Sequence, residues 1–444
     1  MRFGSTLRAT AALSLLAVPA LAQRGGRGAD TTPDPVKQMV ARLNLESYKA
    51  TVKGLTDFGD RRQGTARNRA AVDWIEAKLK SYGCSTERIK YEYWGRQLQN
   101  DSTRKVDSAA GRGRGGARGA GGRGRGAGGD TTGGRGAGGD STAGRGGRGA
   151  RAGGTAQGGG IYRGVVTRTG VNTDPMRQPD TAIRRIDSER DTPGEREEVV
   201  CTKVGTTHPE EMYIVGGHMD GHGFGQAAND DGSGAALVME LARVFSSPDI
   251  VTDRTIRFCL WNNEETGTNG ARAYIEQRYA LQGKENPPGS GKYPEPKWLG
   301  MIQHDMMMFD HGMPRPDGTM SPEQRPEADV NIEFAITSKF TEGAQKLAWF
   351  WHSANEKYAT DYPATVSPHM TNTDSGPFQD SIPAISLREN ERGKEIGAGW
   401  DPQWHQPTDV FTTYSDKDFR LGLNAAQTTF GAVALLTGAK FKKP

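Results

Sequence analysis

The chain of 444 residues contains little cysteine and no apolar run long enough to span a bilayer. Because a membrane helix needs about 20 apolar residues, we expect no membrane partner for the mature protein. The three cysteines, Cys84, Cys201 and Cys259, exclude a disulfide framework, since at most one bridge can form. Cys201 and Cys259 lie in apolar runs typical of buried strands, which favours free core thiols. A single disulfide bridge is the alternative.

The folded part of the chain also lacks an excess of positive charge. The formal net charge is +4, but residues 111–160 contain nine arginines against Asp130 and Asp140. That surplus leaves the remainder with a small negative net charge. Since nucleic-acid-binding domains carry clustered basic residues, this composition argues against such a domain, and we expect no nucleic-acid partner.

The first 22 residues are typical of an export signal. Arg2 and Arg8 give a positive start, a short apolar run covers residues 11–18, and Ala20-Leu21-Ala22 has the small-x-small pattern of a cleavage site. A buried N-terminal helix is the alternative. We therefore predict an exported protein, periplasmic or extracellular, with a signal peptide at 1–22 and a flexible N-terminus at 23–34.

Residues 104–160 are almost entirely Gly, Arg, Ala, Ser, Thr and Asp, with a near-repeat at 124–132 and 134–142. With almost nothing apolar to bury, this insert cannot offset the entropy of ordering, and we predict a disordered linker. Adhesion to a surface or polyanion is the alternative, and specific nucleic-acid binding is a weaker one.

After the insert, strand-like apolar runs alternate with helical patterns, as in residues 211–217, 233–246 and 255–261. This alternation predicts an α/β fold in which helices cover both faces of a sheet. We assign it to residues 35–444, interrupted by the insert. In such folds the ligand site lies beyond the carboxyl ends of the strands.

Polar residues follow these predicted strands where each one ends. The run 213–217 leads into His218-Met219-Asp220, a spacing that allows an imidazole to bind a metal while the carboxylate orients the ring. Asp230 precedes a predicted helix, so it is either a metal ligand or a helix cap. Glu264 and Glu265 follow the next strand and are either a solvated turn or a ligand beside a general base.

Two further segments complete the pattern, His304-Asp305 after a strand and His405 with Asp409 four residues later. Two histidines with three or four carboxylates suit zinc, and a pair of such ions can activate water and polarise a carbonyl. His222 and His304 are additional histidines near this site. Each either binds metal or substrate or only packs within a loop.

These motifs together resemble the di-zinc exopeptidases of peptidase family M28. The resemblance rests on five segments: His218-Met219-Asp220, Asn229-Asp230-Asp231-Gly232-Ser233-Gly234, Glu264-Glu265-Thr266-Gly267, His304-Asp305-Met306, and His405 with Asp409. It covers residues 36–438 apart from the insert. It implies a single domain with a mixed, mostly parallel central sheet between helices, and two zinc ions per chain.

The resemblance also implies roles for individual residues. Asp230 would bridge both metals, His218 and Asp305 would complete one site, and Glu265 and His405 the other. Glu264 would be the general base and Asp220 the partner of His218. Asp374, in Thr373-Asp374-Ser375-Gly376-Pro377-Phe378, would lie near the substrate. A cis peptide between Asp230 and Asp231 is a further implication.

We therefore expect a secreted zinc aminopeptidase that acts on peptide substrates. A carboxypeptidase or dipeptidase of the same family is the nearest alternative, supported by Gly225-Gln226-Ala227. A glutaminyl cyclase with one zinc ion, or a non-catalytic receptor, is disfavoured because all five ligands are retained. The sequence does not indicate an oligomeric state.

Overall fold

The computed structural model describes residues 34–95, 171–310, 330–368, 370, 373–389 and 401–443, and the backbone of 161–162 and 165–166. The predicted signal peptide and, except for Asp34, the predicted flexible N-terminus therefore lie outside the described residues. The whole of the predicted insert at 104–160 does as well. The predictions for these segments remain untested.

The strands of the main sheet are β1 Ser85–Tyr93, β4 Gly194–Lys203, β5 His208–His218, β7 Arg254–Trp261, β8 Lys297–His304, β9 Val330–Phe334, β10 Ala364–Ser367 and β11 Ala384–Arg388. Two-residue strands outside it, within the described part of the chain, are β2 Ile161–Tyr162, β3 Val165–Val166, β6 Ile250–Val251 and β12 Lys440–Phe441.

The α-helices are α1 Pro35–Val40, α2 Leu45–Thr56, α3 Ala66–Ser81, α4 Thr181–Asp187, α5 Gly232–Phe245, α6 Asn269–Arg278, α7 Thr341–Tyr358 and α8 Asp416–Thr437. Short 3-10 turns occupy Pro175–Arg177, Tyr279–Leu281, Gly376–Phe378 and Phe411–Thr413. Within the described residues, no helix has both the length and the apolarity needed to cross a bilayer.

The main sheet has the strand order β1-β4-β7-β5-β8-β11-β9-β10. Its four central strands, β7, β5, β8 and β11, are mutually parallel. On one side β4 pairs antiparallel with β7 and β1, and on the other β9 pairs antiparallel with β11 and parallel with β10. The prediction of an α/β domain with a mixed sheet and a parallel centre is confirmed. Parallel central strands place their carboxyl ends at one edge, where the candidate site lies.

The sheet is buried on both faces because successive side chains of a strand point to opposite sides. On β5, Val215 belongs to the core packed under α5 and α8, and Ile214 to a second core on the opposite face. Trp261, at the end of β7, joins that second core together with Tyr274 and Phe378. Helices therefore cover both faces, as the alternating pattern predicts.

Cys84 and Cys201 form a disulfide, with their Cα atoms 5.8 Å apart, and Cys259 is a buried free thiol. The expectation of a free core thiol is therefore confirmed for Cys259 and wrong for Cys201. The cause is the strand register, because β1 pairs antiparallel with β4 so that Thr86 faces Cys201, and Cys84, two residues before Thr86, is the diagonal neighbour of Cys201. Strand register cannot be inferred from the spacing of cysteines in one sequence.

We predict that this bridge contributes about 2–5 kcal/mol to the free energy of unfolding, because it joins residues 117 positions apart. Thiol titration of unreduced, unfolded protein should detect one thiol per chain, and three after reduction. Cys84→Ser should lower the Tm, while Cys259→Ala tests a cysteine outside the bridge. Three thiols in the unreduced protein would contradict the pairing.

Candidate metal centre

The candidate residues are brought together by the ends of the central strands. His218 is the last residue of β5, Glu264 and Glu265 follow β7, and Asp305 follows β8. Asp230 lies just before α5, and His405 lies in the segment that precedes α8. Residues that are nearly 190 positions apart in sequence therefore converge at the carboxyl edge of the parallel strands.

The Asp230 carboxylate lies between the two imidazoles. Its Oδ1 is 3.4 Å from Nε2 of His218, and its Oδ2 is 2.8 Å from Nε2 of His405. Nε2 of His405 is also 3.0 Å from Oε2 of Glu265, and Nε2 of His218 is 4.0 Å from Oδ1 of Asp305. The five predicted ligands thus form a continuous chain of nitrogen and oxygen donors centred on one carboxylate.

The structure gathers these donors into two groups. His218, Asp230 and Asp305 form one, and His222, Glu265 and His405 form the other, with the atoms of each group within 4.8 Å of one another. The aspartates and both predicted histidine ligands are buried. Buried imidazole and carboxylate groups in this arrangement are the donor set that zinc takes in proteins.

His222 belongs to this cluster, although the sequence indicated it only as a histidine nearby. Its Nε2 lies 3.0 Å from Nδ1 of His405 and 3.2 Å from Oε2 of Glu265, and the two rings meet edge to face. Its position two residues after Asp220 was the available signal. His304 faces away instead, toward Gly216 O and the Thr429 hydroxyl, so its role is structural packing.

Asp220 supports the site in a different way from the one predicted. Nδ1 of His218 forms its 2.9 Å hydrogen bond with the Asp220 backbone carbonyl, while the carboxylate lies 3.8 Å from the same nitrogen. That carboxylate accepts the backbone amides of Glu264 at 3.0 Å and Glu265 at 3.4 Å. Asp220 therefore orients the His218 ring through its main chain and holds the Glu264-Glu265 segment through its side chain.

Asp231 fastens three segments of the site together. Its Oδ2 accepts the backbone amide of His218 at 3.0 Å, and its Oδ1 accepts those of Gly234 at 2.8 Å and Met306 at 3.1 Å. It is the residue that caps α5. Asp230, for which a capping role was the alternative, leaves its carboxylate directed at the two histidines. The Asp230–Asp231 peptide bond is cis.

Asp409 anchors the backbone beneath Asp230. Its two carboxylate oxygens accept the amides of Asn229 at 2.9 Å and Asp230 at 3.2 Å, and Tyr414 donates to it at 2.9 Å. Burial and the neighbouring Asp401 raise the pKa of Asp409 to about 7. The residue that the sequence grouped with His405 thus contacts the main chain of the central carboxylate.

Asp374, the predicted substrate contact, is fully buried beneath the site. Gln303 donates to it at 3.3 Å and in turn accepts the indole N–H of Trp261 at 3.1 Å. This position favours a supporting role over direct contact with a substrate.

A cavity of about 240 Å³ opens beside the cluster. Asp220, His222, Glu265, Arg62 and Phe224 are among the residues that line it. Glu265 and its neighbour His222 therefore border a cavity large enough for a small ligand.

The site concentrates more negative charge than its neighbours neutralise. Burial, together with the charges of Asp374 and Glu265, raises the pKa of Glu264 well above its usual range, although His218 opposes the shift. Burial and Asp230 likewise raise the pKa of Glu265 to about 7, and its Oε1 is buried with no hydrogen-bond partner among the described residues. Such a cluster fits divalent cations, which would compensate the buried charge.

This fold and site define a class of protein. Residues 198–426, more than half of the chain, match the model of Peptidase family M28. The chain belongs to that family.

The proteins that resemble this chain in sequence or in structure carry the names of different enzymes. Carboxypeptidase Q of Xenopus laevis is 41% identical over 77 residues, a match that spans 17% of this chain and only 16% of that relative. An aminopeptidase from Aneurinibacillus sp. strain AM-1 superposes with a TM-score of 0.53 at 16% identity, over 92% of this chain and 97% of that one. A glutaminyl cyclase of Porphyromonas gingivalis superposes with a TM-score of 0.50 at 14% identity, over 89% and 99%. At these identities the structural likeness establishes the fold alone.

We predict that Asp409→Asn weakens zinc binding by about 10–100-fold, because the amide side chain loses one acceptor for the Asn229 and Asp230 backbone. Chelator competition measures the affinity. Tyr414→Phe is the matched control, since it removes a donor to Asp409 and leaves the carboxylate on the Asp230 amide. Equal zinc affinity in Asp409→Asn and the wild type would contradict the anchoring role.

Proposed function

We propose that this protein is an exported zinc aminopeptidase that hydrolyses the N-terminal peptide bond of short peptides. The observation that carries the proposal is the Asp230 carboxylate, which presents one oxygen to His218 and the other to His405. A carboxylate shared in this way, with Glu265 and Asp305 on its two sides, supports two adjacent metal positions rather than one.

In this proposal His218, Asp230 and Asp305 hold one zinc ion, and Asp230, Glu265 and His405 hold the second. Nitrogen and carboxylate oxygen donors are the ligands of catalytic zinc sites. When bound, a pair of such ions polarises the scissile carbonyl and lowers the pKa of the attacking water. His222 lies close enough to His405 and Glu265 to orient both side chains.

Glu264 is the group that we assign to proton transfer. Its backbone amide is fixed by the Asp220 carboxylate at 3.0 Å, next to the amide of Glu265 on the same acceptor. This bond sets the direction of both glutamates at the end of β7. Glu264 takes a proton from the attacking water at its carboxylate and delivers it to the leaving amine.

The acidic lining supports recognition of a free amino terminus. Asp220 and Glu265 border the cavity, so an ammonium group entering it meets carboxylate charge at short range. A carboxypeptidase would instead have to place a neutral, acylated amine against this acidic wall. The five retained ligands support two zinc ions and oppose a cyclase with one.

Export is the remaining part of the proposal. It rests on the signal-like pattern of residues 1–22 in the sequence. The Cys84–Cys201 disulfide supports it, because such bridges persist in oxidising compartments outside the cytoplasm.

We predict that Glu264→Gln lowers turnover by about 10²–10⁴-fold while zinc content stays near two ions per chain, because the amide cannot carry the proton. Elemental analysis and steady-state kinetics on purified protein measure both quantities. Glu265→Gln is the matched control one residue away and should lose zinc. Unchanged turnover in Glu264→Gln would exclude it as the general base.

We predict hydrolysis of free aminoacyl anilides and no hydrolysis of the same substrates carrying an N-acetyl group. The acidic cavity should bind the free ammonium group and exclude the blocked amine. Cleavage of blocked peptides alone would identify a carboxypeptidase. One zinc ion per chain together with cyclisation of N-terminal glutamine would identify a cyclase.

A further inference from the structure

The cavity beside the acidic cluster also carries a positive charge. Arg62 lies in the turn between α2 and α3 and lines this cavity together with Phe224, Asp191, Asp220 and Glu265. A group bound at the candidate metal centre therefore has a guanidinium within the same small space. The proposed hydrolysis makes no use of this charge.

The backbone around Arg62 is rigidly held. The neighbouring Arg61 is fully buried and donates to five carbonyl oxygens, of which those of Met219, Gln226 and Ala227 are each at 2.7 Å. These bonds tie the turn to the loop that follows His218. The amide of Arg62 itself donates to Asp60 Oδ1 at 3.2 Å. Arg62 is thus fixed relative to the metal centre before any ligand arrives.

The Arg62 side chain stacks on an aromatic ring, and one of its N–H groups has no hydrogen-bond partner among the described residues. Its guanidinium carbon lies 4.9 Å from the centre of the Phe224 ring, and its side chain is 26% exposed. Its Nε is buried and has no hydrogen-bond partner among the described residues. A buried guanidinium N–H without an acceptor is costly, so a ligand carboxylate that draws the guanidinium toward the cavity and accepts its N–H groups would recover that cost.

The nearest carboxylate, that of Asp60, is shared between Arg62 and a second arginine. Asp60 Oδ2 lies 3.5 Å from the Arg62 guanidinium, but Asp60 Oδ1 is bound to Arg67 at 2.6 Å. Asp187, which also borders Arg67, has its pKa raised by burial and by Asp60, so it is largely protonated at neutral pH. Arg67 also lies 3.5 Å from Glu189, and Asp60 meets Arg62 only at 3.5 Å, so Arg62 has no close ion-pair partner of its own among the described residues and retains capacity for an anion.

We propose that Arg62 binds a carboxylate of the substrate, so that the enzyme prefers short peptides with an acidic group close to the scissile bond. This inference rests on the proposed peptidase function. A guanidinium with a free N–H and a stacked face is the group best suited to a carboxylate. The carboxylate is either the C-terminus of a dipeptide or the side chain of Asp or Glu. The small cavity favours a short substrate.

The test uses the zinc-loaded full chain and four substrates. The dipeptide Ala-Leu and its C-terminal amide isolate the terminal carboxylate, while Ala-Asp-amide and Ala-Asn-amide isolate an acidic side chain. We expect the wild type to have a kcat/KM at least about 10-fold higher for the acidic member of one pair. The pair that shows the preference identifies the source of the carboxylate.

Arg62→Ala should remove that preference, lowering kcat/KM for the acidic substrate about 10–100-fold and changing the neutral substrates about twofold or less. Arg62→Lys should restore part of the preference, because it keeps the charge without the planar donor pair. Arg69→Ala is the matched control, an exposed arginine on the adjacent helix α3 that does not line the cavity. An equal loss on all four substrates, or no change on any, overturns the proposal.

A binding arm separates this inference from the proposed function. A reduced-bond Ala-Leu dipeptide and its amide, neither of which can be hydrolysed, are titrated calorimetrically into the wild type and Arg62→Ala. Tighter binding of the acid that depends on Arg62, without turnover of any substrate, supports the carboxylate site and contradicts the peptidase. Turnover of all four substrates with no acidic preference, together with equal binding of both analogues, would support the peptidase function and exclude the carboxylate site.

Discussion

The site depends on backbone amides held by buried carboxylates. Asp231 accepts the amides of His218 and Met306 as well as that of Gly234 at the start of α5, so a single side chain sets the relative position of two strand ends and a helix. Burial, together with the charges of Asp305 and Asp230, raises the pKa of Asp231 well above its usual range, while His218 and the Met306 amide oppose the shift. Asp409 likewise accepts the backbone amide of Asp230. Residues proposed to hold metal are thus oriented through their main chains before any ion binds.

This arrangement has an energetic cost. Each anchoring carboxylate is buried beside the carboxylates that face the cavity, so the folded protein concentrates like charges at one end of the sheet. A bound cation would lower that cost, because an ion that binds only the folded state adds its binding free energy to stability. The proposed metals are therefore expected to support the fold as well as the chemistry, and the acidic surroundings explain why Arg388 is bound to Asp305 at 3.1 Å.

Sequence patterns predicted those parts of the molecule that depend on local order. The alternation of strands and helices gave the α/β fold, and strands that end in acids or histidines indicated the edge where His218, Glu265 and Asp305 meet. What the patterns missed depends on contacts between distant segments. The Cys84–Cys201 bridge follows from the register of β1 and β4. The burial of Asp374 follows from the packing of Gln303 against it. Arg62 reaches the cavity because Arg61 fastens its turn to another loop. No periodicity or spacing in a single sequence encodes such contacts.

The edge of the sheet offers one more consequence. Tyr93 at the end of β1 and Gly194 at the start of β4 are register partners, so the hundred residues between them leave and re-enter the sheet at neighbouring points. Because closing a longer loop between fixed ends costs little more than closing a shorter one, residues such as the near-repeat within 124–142 add little to the cost of folding. The length of chain between these two points can therefore change while the edge of the sheet that carries His218, Glu265 and Asp305 keeps its geometry.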